Sequence, residues 1–368
     1  MIPLNDFRRQ WEDTRIDALA AFDAVGSCGW YILGRETAEF ERELAGWWGV
    51  PHAVGVASGL DAIELSLKAL GCGPGDRVLT TPLSAFATTL AILKSGAVPV
   101  FVDTDEFGLI DLERCREALT ARPDIRFFVP VHLYGHALDM TELAALRNRF
   151  ECKIVEDCAQ SIGASHRGVA TGTAGDLAAV SFYPTKNLGA LGDGGAILTG
   201  DPRLAETVRT LRDYGQSAKY RHEAIGYNSR LDELHASYLR RVALPRLAAW
   251  TAARQRIARA YLENLRNEAN LAPGSPPGSD SCWHLFPVYV ERKERLMNWL
   301  RQHGVTCGEH YPALITEQPA MAAVSFEVFG ELATAARIAR REVSLPIHPY
   351  LTNEEVAHVV DACNSWRG

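Results

Sequence analysis

The amino-acid sequence predicts an α/β protein: a large domain with a mostly parallel seven-stranded sheet, followed by a smaller α+β domain. Short β-rich runs alternate with helical patterns of about ten residues through the first half, which is typical of a sheet covered by helices on both faces. After about residue 240 this alternation gives way to one long helical pattern. The length of 368 residues also fits roughly two to two and a half domains.

Seven β-rich runs are the predicted strands of the large domain. In chain order they are Ala53–Ala57, Arg77–Thr80, Val98–Val102, Phe127–His132, Lys153–Glu156, Leu177–Phe182 and Ala196–Thr199. Helices are predicted between them, over Asp61–Leu70, Ala85–Lys94, Asp111–Leu119 and Met140–Phe150. Gly96 and Asp111 act as end signals, since glycine closes helices and aspartate opens them. Such sheets bind their ligands at the carboxyl ends of the strands.

The second half contains a long predicted helix, Leu231–Ala260, which we expect Pro245 to interrupt. A Pro/Gly/Ser-rich loop follows over residues 271–281, and then a shorter module. The predicted elements of this module are Trp283–Val290, Arg292–Gly304, Val305–His310, Gly330–Arg341 and Asn353–Cys363. We therefore divide the chain into an N-terminal arm (1–13), a large domain (14–245) and a small C-terminal domain (246–368).

Charge and composition exclude several classes of protein. The net charge is -7 and there is no basic stripe, which argues against nucleic-acid binding. No apolar stretch reaches the roughly 18–20 residues of a membrane span. The N-terminal residues lack the basic and apolar segments of a signal peptide. The eight cysteines are scattered without a CxxC pair, so we expect reduced thiols in a cytoplasmic protein and no metal site.

The most informative segment reads SFYPTKNLGALGDGG, over residues 181–195. A predicted strand ends at Phe182, and Lys186 follows it in a glycine-rich loop whose backbone can approach a ligand closely. A lysine held at the end of a strand can form a Schiff base with a carbonyl group. On its own it would more often be an exposed loop residue.

A carboxylate at a second strand end supplies the context. Asp157 lies 29 residues before Lys186 and ends the predicted strand in the run VEDCAQ. For pyridoxal-phosphate chemistry, a protein supplies a lysine that forms the Schiff base and an aspartate that keeps the pyridine nitrogen protonated. Gln160 could then bind the ring hydroxyl of pyridoxal 5'-phosphate (PLP).

A phosphate site is expected where the first predicted strand meets its helix, in the run ASGLD. Backbone N–H groups at a helix N-terminus bind anions, so Ser58 and the amides of Gly59 and Leu60 are candidates. Ser181 adds a hydroxyl group. Phe86 opens the next predicted helix, where its ring could stack on the cofactor.

The whole chain resembles the DegT/DnrJ/EryC1/StrS family of PLP-dependent nucleotide-sugar aminotransferases. The resemblance rests on ordered segments from the N-terminus to the C-terminal run SLPIHPYLT. These segments are GWYILG (29–34), SGLDA (58–62), VEDCAQSIGA (155–164), SFYPTKNLGALGDGG (181–195), GYNSRLDELHA (226–236) and HYP (310–312). The family implies a fold-type-I aminotransferase that acts as a homodimer with shared active sites.

The resemblance also assigns roles. Lys186 corresponds to the Schiff-base lysine, Asp157 to the partner of the pyridinium, Gln160 to the contact with the ring hydroxyl and Ser181 to a phosphate ligand. Asn228 corresponds to a phosphate ligand contributed by the partner subunit, and Phe86 resembles the stacking ring. The residues that fall where relatives contact the nucleotide diphosphate or the sugar are Tyr183, Lys219, Arg230, His310 and Tyr311. Leu60 departs from the threonine of many relatives, so its contact with the phosphate would be through the backbone.

The implied reaction moves an amino group from L-glutamate to a nucleotide-linked ketosugar. Tyr183 in the SFY run favours a 3-keto sugar, either dTDP-linked 3-keto-6-deoxyhexose or UDP-linked 2-acetamido-3-ketosugar, for lipopolysaccharide, lipid A or a related glycan. The alternatives are a 4-keto substrate and a non-catalytic PLP-binding regulator. A dehydratase is disfavoured because it would replace Lys186 by histidine, and a nicotinamide oxidoreductase because GxGxxG is missing.

Overall fold

The computed structural model describes residues 1–267, 272 and 274–368. The strands are β1 (His52–Val56), β2 (Arg77–Thr80), β3 (Val98–Phe101), β4 (Ile125–Phe128), β5 (Lys153–Asp157), β6 (Ser165–His166), β7 (Val169–Ala170), β8 (Leu177–Ser181), β9 (Gly195–Thr199), β10 (Gln216–Ala218), β11 (Arg221–His222), β12 (Ser279–Asp280), β13 (Phe286–Tyr289), β14 (Glu327–Val328) and β15 (Glu342–Leu345). The α-helices are α1 (Phe7–Cys28), α2 (Arg35–Trp48), α3 (Gly59–Ala69), α4 (Phe86–Lys94), α5 (Leu112–Ala121), α6 (Met140–Phe150), α7 (Pro202–Arg212), α8 (Glu233–Tyr238), α9 (Leu244–Asn264), α10 (Lys293–Gln302), α11 (Ala333–Arg341) and α12 (Asn353–Ser365).

The large sheet has the strand order β1-β9-β8-β5-β4-β2-β3-β14. Strand β9 runs antiparallel to both of its neighbours, and the other pairs are parallel. The predicted α/β class with a mostly parallel sheet is therefore confirmed. Seven of these strands match the predicted ones, and the eighth, β14, comes from far along the chain. Strand β14 has only two residues, too few to show an alternation of apolar and polar side chains, so it could not be predicted from the sequence.

Helices cover both faces of the sheet. On one face Ile63 and Leu65 of α3 pack with Val56, Val155 and Ile197 of the sheet in one buried cluster. On the other face α1, α2 and the α8 region pack over β8 and β9. The sheet is apolar on both faces, as expected for central parallel strands, and its carboxyl edge is left for polar side chains.

The long helical stretch of the second half is continuous through Pro245, so the predicted interruption is wrong. Helix α8 leads into a π-helical segment, Leu239–Ala243, and this leads into α9. Pro245 comes just after the π-helical segment, where the departure from the regular i→i−4 hydrogen-bond pattern accommodates a residue without an N–H. The predicted boundary at residue 245 falls inside this stretch. The division into domains stays a prediction.

The C-terminal part forms a smaller layer, in which β13 pairs antiparallel with β15. Helices α9, α10 and α12 pack around these strands. Over the predicted element Val305–His310 the structure has no regular helix or strand, and isolated bridges link Val305 to Ile2 and Gly308 to Ser344. Within the predicted loop 271–281, Leu271 and Pro273 lie outside the described residues.

Helix α1 begins at Phe7, so the predicted arm of residues 1–13 includes its first turns. Among the described residues, none of the helices combines the length and the apolar character that a membrane span needs.

Candidate active site

A cavity of about 370 Å³ lies at the carboxyl ends of β5 and β8, under the C-terminal layer. Most of the predicted site residues line it. They are Ser58, Gly59, Leu60, Asp157, Gln160, Ser181, Tyr183, Lys186, His310 and Tyr311. Residues distant in sequence thus meet at the sheet edge where the strand pattern placed a ligand.

Lys186 reaches the cavity from the loop that follows β8. Its backbone N–H donates to the carbonyl of Tyr183 at 2.8 Å, which closes a turn just after the strand. Burial lowers the pKa of the Lys186 ammonium to about 8, and the charge of Asp157 opposes this shift. A much larger share of the amine is therefore unprotonated near neutral pH than for an ordinary lysine, as a nucleophile requires.

Asp157 ends β5 and is only 4% exposed. One carboxylate oxygen accepts from the Ala159 N–H at 3.1 Å and the other from the Thr88 hydroxyl at 2.8 Å. Burial raises the pKa of Asp157, and these two donors and Lys186 act against it. A buried carboxylate of this kind gains most from a cationic partner, and a protonated ring nitrogen would be one.

Gln160 connects the cavity to the C-terminal layer. Its side-chain oxygen accepts from the Tyr134 N–H at 2.7 Å, and its nitrogen donates to the Tyr311 hydroxyl at 3.1 Å. The Tyr134 hydroxyl in turn donates to the His310 carbonyl at 2.6 Å. Two side chains that follow strands of the large sheet therefore hold the His310–Tyr311 segment. The sequence analysis placed Gln160 near the cofactor and did not foresee Tyr134.

The N-terminus of α3 forms the anion-binding end of the cavity. Ser58 caps the helix by accepting from the Asp61 N–H at 3.1 Å. The amides of Gly59 and Leu60 come earlier in the first turn and, like those of any helix start, have no partner inside the helix. A Cβ atom added to Gly59 would lie 2.7 Å from the Cβ of Ser181. Only glycine allows the helix to sit this close to β8, and this cradle fits a phosphate group.

Three further side chains near the lysine were not foreseen from the sequence. Thr88 binds Asp157, as described. His284 lines the cavity, and its Nδ1 lies 3.3 Å from the Asn187 side-chain oxygen. Burial, with help from the charge of Lys186, lowers the pKa of His284 well below its ordinary value. His284 lies outside the quoted motifs, whereas Asn187 follows Lys186 directly, which is a signal that could have been read.

Two histidines that follow β4, His132 and His136, are fully buried. His132 Nε2 lies 2.9 Å from Glu156, whose oxygens also accept the N–H groups of Gly172, Ala174 and Gly175. His132 Nδ1 accepts the N–H of Leu138. The potential ligand atoms of His132, Glu156 and Cys158 lie within 4.8 Å of one another. In the His132–Glu156 pair, both imidazole nitrogens and both carboxylate oxygens already have hydrogen-bond partners within the protein.

Four predicted site residues do not line this cavity: Phe86, Lys219, Asn228 and Arg230. Phe86 is partly buried and packs against a cluster that includes Phe101. Lys219 is exposed on the β10–β11 hairpin, and Asn228 is exposed as well. Arg230 donates to Asp213 at 2.9 Å. Their predicted roles stay predictions, and for Asn228 the predicted role lies in the partner subunit.

A lysine beside a buried aspartate, opposite the amides of a helix N-terminus and at the carboxyl edge of an α/β sheet, is the arrangement that a PLP-dependent enzyme requires. The profile of the DegT/DnrJ/EryC1/StrS aminotransferase family matches residues 12–364. The chain belongs to this family.

Relatives match along almost the whole length. A dTDP-3-amino-3,4,6-trideoxy-alpha-D-glucose transaminase of Streptomyces venezuelae is 42% identical over 99% of this chain and 96% of its own. A UDP-N-acetyl-3-dehydro-alpha-D-glucosamine 3-aminotransferase of Acidithiobacillus ferrooxidans is 37% identical over 97% of this chain and 96% of its own. The crystal structure of S. venezuelae DesV in complex with a ketimine intermediate superimposes with a TM-score of 0.95, at 42% identity, covering 99% and 98% of the two chains.

Proposed function

We propose that this transaminase moves an amino group from L-glutamate to carbon 3 of a 3-keto nucleotide-linked sugar. We choose carbon 3 because of Tyr183, which lies three residues before Lys186, lines the cavity and is 52% exposed. Two relatives whose names specify amination of a 3-position support it. The relative at 42% identity acts on a dTDP sugar and the one at 37% on a UDP sugar, which favours the dTDP-linked 3-keto-6-deoxyhexose over the UDP-linked 2-acetamido-3-ketosugar.

When bound, PLP supplies a ring that takes up electron density from the substrate carbon that loses its proton. The Lys186 amine, with its lowered pKa, removes and returns that proton. Asp157 keeps a proton on the ring nitrogen. The α3 N-terminus, with Ser58 and Ser181, would hold the phosphate. Gln160 would orient the cofactor ring by a hydrogen bond to the ring hydroxyl.

We also propose a homodimer with shared active sites. Trp30, Tyr31 and Ile32 are 61%, 53% and 41% exposed, in a loop fixed by a hydrogen bond from the Glu233 N–H to the Tyr31 carbonyl at 3.0 Å. Such a fixed, exposed apolar group is typical of a protein interface. Asn228 and Lys219 lie outside their own chain's cavity, which fits a role in a partner's site.

The predicted cytoplasmic location is supported by the eight cysteine thiols, all of which are free. The use of the product in lipopolysaccharide, lipid A or a related glycan stays a prediction.

The test follows the visible absorbance of the PLP-loaded protein. L-Glutamate should bleach the band, and a 3-keto nucleotide sugar should restore it, whereas the Lys186→Ala variant should do neither. Recovery with 4-keto sugars alone would overturn the choice of carbon. A band that responds to no amino donor and to no ketosugar would indicate a PLP-binding regulator instead.

A further inference from the structure

His310 is held at the cavity by two buried side chains of β15. The Glu342 carboxylate accepts from the His310 backbone N–H at 2.5 Å and from the Ser344 hydroxyl at 2.5 Å. The Ser344 oxygen lies 2.8 Å from His310 Nδ1. Glu342 and Ser344 are two residues apart on one strand, so both point to the same face. Both are 0% exposed, and their hydrogen bonds form a chain that ends on the imidazole.

The direction of this chain follows from counting protons. A serine hydroxyl has a single proton to donate, and Ser344 gives it to Glu342. The contact with the imidazole then requires the proton to come from His310 Nδ1, which leaves Nε2 with a free electron pair. Nε2 has no hydrogen-bond partner among the residues that the structure describes. Burial lowers the pKa of His310 to about 4, so the ring is neutral near neutral pH.

We propose that Glu342 and Ser344 are positioning residues that keep the His310 proton on Nδ1, so that Nε2 accepts a hydrogen bond from a hydroxyl group of the substrate sugar. This proposal rests on the proposed function, in which His310 meets the sugar. A ring with the opposite tautomer would present a donor to the same hydroxyl and would leave the Ser344 and Nδ1 atoms without a matched pair of donor and acceptor.

The chain of hydrogen bonds also predicts a pH dependence. Burial raises the pKa of Glu342 to about 7, while Ser344, the His310 N–H and Lys293 oppose the shift and Glu309 adds to it. The other titratable groups that interact with Glu342 are Tyr134, Tyr289, Cys307 and Tyr311. Above pH 7 the carboxylate accepts from Ser344. Below it, the protonated carboxyl group would donate to Ser344, which would donate to Nδ1 and turn Nε2 into a donor.

Three variants separate this role from simple packing. Ser344→Ala breaks the chain, Ser344→Thr keeps the hydroxyl, and Glu342→Gln can still accept from the His310 N–H but donates to Ser344, which reverses the chain. We expect Ser344→Ala and Glu342→Gln to raise the KM for the ketosugar about tenfold, the effect of one hydrogen bond. Ser344→Thr should stay near the wild type. Bleaching by L-glutamate should change little in all three.

The ratio of kcat/KM for the ketosugar in the wild type to that in Ser344→Ala should rise through pH 7, because the titration of Lys186, whose pKa is about 8, is common to both proteins and cancels. Glu342→Gln should give the same rising ratio, and Ser344→Thr a ratio near one at every pH, with thermal denaturation showing that all of them are folded. Equal losses in both half-reactions, or an unchanged profile in Ser344→Ala, would overturn the proposal.

A measurement independent of activity reads the tautomer directly. In protein labelled with ¹⁵N-histidine, the His310 signals are identified by their loss in His310→Asn. The proton should sit on Nδ1 above pH 7 in the wild type and on Nε2 in Glu342→Gln. A wild-type proton on Nε2, or no change in Glu342→Gln, would show that Glu342 and Ser344 do not set the tautomer of His310. If the wild type aminates no ketosugar, the proposed function fails, but this measurement still shows whether these two residues set the tautomer.

Discussion

At the scale of single residues, the state of Asp157 depends on a neighbour that no motif contains. The Thr88 hydroxyl donates to Asp157 at 2.8 Å from α4 and lies 2.9 Å from the hydroxyl of Ser84. A hydrogen bond to a buried carboxylate contributes about 1.5–3 kcal/mol. Removing it should make the carboxylate harder to keep ionised, because burial already raises the pKa of Asp157.

We therefore predict that Thr88→Val lowers the rate of the glutamate half-reaction by about ten- to a hundredfold, in line with the loss of one such bond. Thr88→Ser keeps the hydroxyl and is the matched control. Stopped-flow absorbance of PLP-loaded protein measures both. Equal rates in the valine and serine variants would show that Asp157 does not need this donor.

At the scale of elements, the close packing of α3 on β8 sets the phosphate cradle. Gly59→Ala would bring a Cβ atom to 2.7 Å from the Ser181 Cβ, and neither backbone can yield without moving the first-turn amides. We predict that Gly59→Ala weakens PLP affinity at least about tenfold, since correctly aimed amides are what binds the anion.

The matched control is Gly46→Ala in α2, where an added Cβ has no heavy atom within 4 Å. This change should leave PLP affinity unaltered and should stabilise the helix by up to about 1 kcal/mol. Fluorescence titration of the apoprotein with PLP gives both affinities, and similar values for the two variants would count against the cradle.

Some elements and site residues could be predicted because their signal is local. Strand β2 and helix α6 have their predicted bounds, and Lys186 and Asp157 are each marked by the residues around them. Other features depend on partners far along the chain. Thr88 binds a residue 69 positions away, and His310 is held by one 34 positions away. The π-helical segment that carries the helix past Pro245 likewise depends on tertiary packing, which periodicity does not encode.

At the scale of the whole molecule, the proposal that two subunits share their active sites can be tested with mixed dimers of two inactive variants. Lys186→Ala removes the lysine of one site, and Asn228→Asp places a negative charge where a phosphate is expected from the partner's side. Each variant alone should be inactive. If Asn228 serves the partner subunit, a mixed dimer has one intact site out of two, so the isolated mixed dimer should show about half of the wild-type activity.

The control pairs Lys186→Ala with Asp157→Asn. Both residues line the same chain's cavity, so each site of a mixed dimer keeps one defect and no recovery is expected. Activity is measured after co-expression of differently tagged chains and isolation of the mixed dimer. An inactive mixed dimer of Lys186→Ala and Asn228→Asp would mean that Asn228 acts in its own subunit.

The amide of Gln160 has a consequence for the order in which ligands are taken up. Its nitrogen carries two N–H groups, and Tyr311 uses one of them, so the second is available to the ring hydroxyl of the cofactor. If both contacts form, this one side chain links the cofactor to the tyrosine that we expect to contact the nucleotide sugar. We therefore predict that the cofactor binds first, and that protein stripped of it binds the nucleotide sugar less tightly.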